Sequence, residues 1–99
     1  MWKMVAERQE WMIGRLRAAN MRPTPSRLSV LTYFCDHPEQ HLTVKDLTRA
    51  FTRHDVDMKL GTLPMCLKDL ARNGLLDKQV GQRGEALYSL HLRMQAQCS

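Results

Sequence analysis

The stretch GTLPMCLKDLARNGLL, residues 61–76, decides how the rest of the chain is read. Together with the residue before it, Leu60, Leu63, Leu67 and Leu70 recur at spacings of 3, 4 and 3, the pattern of one buried helix face. Gly74 stands just past the last of these turns, where a helix end calls for left-handed backbone. With Leu63 at zero and about 100° per residue, Cys66, Leu67 and Leu70 fall within about 60° of it. Met65, Lys68, Asp69 and Arg72 fall on the far side. Pro64 restricts where the helix begins. In a helix interior its ring would clash with the carbonyl of Leu60, at a cost of about 3 kcal/mol. With Thr62 as N-cap it lies in the first turn, where the missing donor is unpaired anyway. The expectation is the shorter helix, or a kink near Leu60.

Working outward, LLDKQV, GQRG and EALYSLHL follow directly and read as a β-hairpin with Gly81 and Gly84 in its turn. Upstream, HLTVKDLTRAF starts a helix with Thr43 as N-cap candidate and Asp46 three residues on, Leu47 and Phe51 facing the core. Before it, Thr24 and Pro25 are the cap and first residue of another helix. Leu28, Leu31 and Phe34 or Cys35 form its buried face, and Pro38 ends it. Residues 3–19 read as a first helix with Trp2, Val5, Met12, Ile13 and Leu16 on one stripe. Met4 and Trp11 lie off that stripe by about 100° or more. Four helices, the last two forming a pair, then a two-stranded hairpin: this is the winged helix-turn-helix plan. It is mainly α with a small antiparallel β-hairpin.

Ninety-nine residues make one small domain, expected over residues 1–92 with a C-terminal tail at 93–99. No run of 18 apolar residues reads as a membrane span, and charges interrupt the N-terminal segment too often for a signal peptide. Cys35, Cys66 and Cys98 are widely spaced with no CxxC, which favours reduced thiols in a cytoplasmic protein, Cys98 being free in the tail. Fifteen Lys and Arg against ten Asp and Glu give a net charge of +5. The cations are spread along the chain, as on a folded basic surface suited to a polyanion.

The segments RLRAANMRPTPSRLSVLTYF, HLTVKDLTRAF, LGTLPMCLKDLARNGLL and GEALYSL resemble, in this order, four motifs of the ferric-uptake-regulator (Fur) family. Arg22, Thr24 and Arg27 match the family's R-x-T-x-x-R between its first two helices. The second segment is similar to its third helix, the third to its recognition helix, and the last to its wing strand. The resemblance covers roughly residues 7–90. It implies the N-terminal winged-helix DNA-binding domain of a transcriptional regulator, most characteristically a repressor. The family's C-terminal dimerisation and metal-sensing half has no counterpart in this sequence. Three positions depart or bear on metal. Pro64 and Met65 stand where the family has Tyr-Arg, and Ser89 where it has a wing glutamate that contributes to metal binding in many members. His41 matches a histidine that ligates metal in some members; without its usual partners it reads as a loop histidine. No metal or other cofactor is expected.

For double-stranded DNA, the candidate contacts are Arg22, Arg27, Lys59, Thr62, Met65, Lys68, Arg72, Lys78 and Arg83. Cations there engage phosphates, which position a protein without reading sequence. An arginine at position 65 would pair with guanine for about 1–3 kcal/mol of discrimination; methionine offers only apolar contact, as with a thymine methyl. Met4 and Trp11 are candidates for pairing two copies through the first helix, or for covering the edge of the domain's own core. An alternative reading makes the scaffold a protein-interaction module, with Met65 as an adaptable apolar contact for a protein partner. An enzyme is not expected. Cys35, Asp36 and His37 adjoin only in sequence, and a Cys/His pair needs an orienting third group.

Overall fold

Helix boundaries in this chain are set by a few polar side chains and two prolines. The computed structural model describes residues 5–56, 58–92 and 94; Trp2, Met4 and Cys98, and the side chains of Val5 and Leu60, lie outside the described residues. Helix α1 runs Val5–Ala18 and α2 runs Pro25–Asp36. Pro25 is at the first helical position of α2, and the Thr24 side chain accepts from the Arg27 amide at 3.3 Å. Helix α3, Val44–Arg53, opens on a complete capping box: Thr43 Oγ1 accepts from the Asp46 amide, and the Asp46 carboxylate accepts from the Thr43 amide, both at 3.0 Å. Two otherwise orphaned donors are thereby satisfied reciprocally.

Helix α4, Leu63–Arg72, follows a single 3₁₀ turn at Leu60–Thr62. Pro64 therefore sits in the first turn, as expected for the shorter helix. Thr62 differs from expectation. It occupies the N-cap position with helical backbone and makes no side-chain cap; its hydroxyl donates backward to the Lys59 carbonyl at 2.7 Å. A capping residue has extended backbone so that its oxygen can accept from the first turn; Thr62, with φ −89° and ψ −6°, is already helical. At the other end Gly74 adopts φ 83°, the left-handed conformation an L side chain resists.

Strands β1, Leu76–Val80, and β2, Ala86–Leu90, pair antiparallel with Leu76 opposite Leu90 and Val80 opposite Ala86. The turn between them is closed by Gly81 and Glu85, the Gly81 amide donating to the Glu85 carbonyl at 2.7 Å. Leu42, in the loop before α3, adds a one-residue bridge to the free side of β2, exchanging both backbone hydrogen bonds with Tyr88 at 2.8 Å.

The leucines of α4 point inward with Leu16 of α1, Leu31 and Phe34 of α2, Leu47 of α3 and Leu76 and Leu90 of the hairpin, all fully buried or nearly so. Met94, within the stretch expected as tail, is also fully buried. Cys35 is buried and disulfide-bonded, where the sequence reading expected a reduced thiol; Cys66 is a free buried thiol. Among the described residues, no helix is long and apolar enough to cross a membrane. The architecture is a winged helix-turn-helix: four helices and a two-stranded wing.

Candidate nucleic-acid interface

Burying Leu63, Cys66, Leu67 and Leu70 leaves the other side of α4 in solvent. Pro64, Met65, Lys68 and Arg72 are all exposed there, Met65 at 61%. Few large apolar side chains among the described residues are this exposed. Lys59 and Thr62, exposed at the 3₁₀ turn, extend the surface past the helix N-terminus. Strand β1 packs against α4, and the wing it begins carries Lys78 and Arg83, both exposed. Arg83 is at the turn, its amide donating to the Glu85 carboxylate at 2.9 Å. Helix, turn and wing thus offer a cationic surface with an apolar residue near its middle.

Arg22 is exposed in the linker between α1 and α2. Arg27 is differently placed. Its guanidinium donates to the Arg22 carbonyl at 2.9 Å and lies 3.7 Å from the Asp69 carboxylate of α4. Both side chains of that pair are about a quarter exposed, at 23% and 28%. Asp69 was legible as a residue of the outer face, but its pairing with Arg27 was not, because no local spacing marks it. Burial pushes the Cys66 thiol up to about 11; Arg27 lowers it and Asp69 raises it by smaller amounts. A thiol held in that state is a core side chain rather than a nucleophile.

Trp11 is partly buried and packs against the core. Nearby, Arg8 of α1 donates to the Asp36 carboxylate at 2.7 Å and to the Thr32 carbonyl at 3.2 Å, tying α1 to α2. A groove of about 750 Å³ opens between these helices and the segment after α3, lined by Met12, Leu28, Tyr33, Phe51 and Val56 among others. No residue of α4 or the wing lines it.

His41 and Ser89, the two positions that the resemblance connects with metal, line one cleft with Asp77. Asp77 is engaged with His91, Oδ1 to Nδ1 at 2.9 Å. A hydroxyl at position 89 is a poor metal donor beside a carboxylate, and the set is too sparse for a closed site. Among the described residues, no three His, Cys, Asp or Glu side chains are placed to hold a metal ion. Among the described residues, those lining this cleft do not fit a resident metal.

Comparison with known proteins agrees with this architecture. The ferric uptake regulation protein of Neisseria gonorrhoeae is 28% identical over 78 residues, covering 79% of this chain and 54% of the relative. That of Cupriavidus metallidurans is 26% identical over 76 residues, covering 77% and 53%. The chain spans about half the length of the curated relatives it matches. Two solved structures share the fold. The Vibrio cholerae ferric uptake regulator, described for a rearrangement of its DNA-binding domains, matches with TM-score 0.73 and 21% identity over 82% of this chain and 62% of that one. The Pseudomonas aeruginosa regulator, solved with manganese, matches with TM-score 0.69 and 25% identity over 80% and 59%. Residues 18–97, most of the sequence, match the description of one family throughout. The chain belongs to the ferric uptake regulator family.

Proposed function

We propose that this chain is a DNA-binding transcriptional regulator that holds double-stranded DNA mainly through phosphates and reads bases weakly. The observation that carries the proposal is the outward face of α4, with Met65, Lys68 and Arg72 exposed beside a wing bearing Lys78 and Arg83. Lys59, Thr62 and Arg22 extend the same contact. The relatives are named for ferric uptake regulation, which supports regulation as the role; repression, in the cytoplasm, is part of the same proposal. A single winged helix making a few phosphate contacts binds in the range of about 10⁻⁴ to 10⁻⁶ M. Tighter binding calls for two copies, and we assign their contact to α1 around Trp11. A monomer by sedimentation at high micromolar concentration would remove that pairing.

The test is a fluorescence-anisotropy titration of a mixed-sequence duplex at two salt concentrations, repeated with Met65→Arg. The expected result is salt-sensitive binding that Met65→Arg strengthens. Absence of binding at low salt by a folded protein sinks the proposal. One observation favours a second reading. Met65 is a large apolar side chain 61% exposed in the first turn of α4, which also suits an adaptable protein contact. On that reading the chain modulates another regulator, and added DNA leaves the amide resonances of α4 and the wing unmoved.

A further inference from the structure

The outer face of α4 contains one residue that opposes DNA binding. Asp69 lies about 40° around the helix from Met65, so a carboxylate borders the surface that meets phosphates. Phosphate oxygens repel it, and like charges facing each other across an interface carry a penalty. Beside it the structure supplies a cation from another element, the Arg27 guanidinium at 3.7 Å. That guanidinium is held in place from behind. It donates to the Arg22 carbonyl at 2.9 Å, and the backbone of Arg27 is fixed by the Thr24 cap.

We propose that Arg27 acts as a positioning and screening residue: it neutralises Asp69 at the edge of the DNA-facing surface and holds the Arg22 linker against α4, in place of the direct phosphate contact expected from sequence. Arg22, Thr24 and Arg27 then divide the work of one motif. Thr24 caps α2, Arg27 spans from the linker to α4, and the Arg22 side chain is left exposed for phosphate. The inference rests on the DNA-binding reading and deepens it.

The test measures affinity for a mixed-sequence duplex across a salt series, using the whole chain and variants checked as folded by circular dichroism. Arg27→Met is expected to weaken binding roughly three- to tenfold at low salt, the scale of one uncompensated charge at a phosphate surface. Adding Asp69→Asn to Arg27→Met is expected to restore affinity to within about twofold of Asp69→Asn alone, because nothing is then left to screen. Arg27→Met with Glu39→Gln, which restores net charge at an exposed site off the α4 surface, is expected to remain weak. Arg27→Lys keeps the charge and binds nearly as wild type. The inference is overturned if Arg27→Met lowers the salt slope by about 0.9, the signature of one lost phosphate contact, and Asp69→Asn fails to rescue it. It is equally overturned if Arg27→Met leaves affinity unchanged. Failure of the wild-type chain to bind DNA removes the DNA-binding reading itself, and the inference with it. That outcome is distinguished by appearing before any variant is compared.

Discussion

Cys66 is the described side chain whose acid–base chemistry departs furthest from its ordinary value. Burial lifts its thiol from 9.0 to about 11, so the unfolded chain releases this proton at lower pH than the folded one. Between about 9 and 11 the native state binds more protons than the unfolded state, and stability falls as pH rises. Tyr88, also raised by burial, adds to the loss in the same direction. Urea unfolding at pH 8 to 10.5 is expected to show this decline, with a shallower slope in Cys66→Ala. An equal slope would mean that the thiol is not protected. Deeper in the core, Leu67 is fully buried. Leu67→Ala is expected to cost about 2–5 kcal/mol of stability, measured by denaturant midpoint at constant m.

At the scale of elements, the helix starts carry most of the local specification. Thr43→Ala removes one half of the α3 capping box and is expected to cost about 1 kcal/mol, again read from unfolding. Pro64→Ala lifts the restriction on the start of α4. Stability is expected to move by less than about 1 kcal/mol, while the Cα shifts of residues 60–62 move from 3₁₀ toward α-helical values. Unchanged shifts would show that the Thr62–Lys59 hydrogen bond, rather than the proline, holds the 3₁₀ turn. These elements were legible in the sequence because their signals are local: Thr24 before Pro25, Thr43 three residues before Asp46, leucines at helical spacing, Gly74 after Asn73. The bridge between Leu42 and Tyr88 was not, since a single paired residue has no period to detect. The Arg27–Asp69 pair escaped for a similar reason. Each residue could be placed on its own helix, but the meeting of α2 with α4 depends on tertiary packing. Thr62 was legible as the N-cap position, but not that its side chain would leave the helix uncapped, because the preceding 3₁₀ turn gives it helical backbone.

For the molecule as a whole, a net charge of +5 on 99 residues sets how association should respond to salt rather than what is bound. Each phosphate engaged contributes about −0.9 to the slope of log K against log salt. A slope near −4 would mean about four of the exposed cations are in contact, whereas a slope near zero with measurable affinity would point to apolar contact through Met65. The candidate surface was legible as a set of positions, since helical spacing alone separates Met65 and Arg72 from the leucines. Which cations are free and which are spent within the fold was not, as Arg27 illustrates. Leu42 has the widest mechanical consequence. A two-stranded hairpin alone is only marginally stable in water, but this one is latched through Tyr88 to the loop that launches α3. The Tyr88 amide should therefore exchange with solvent only when the entire domain opens, and a force applied to the tip at Arg83 is felt in the core rather than absorbed by a hinge.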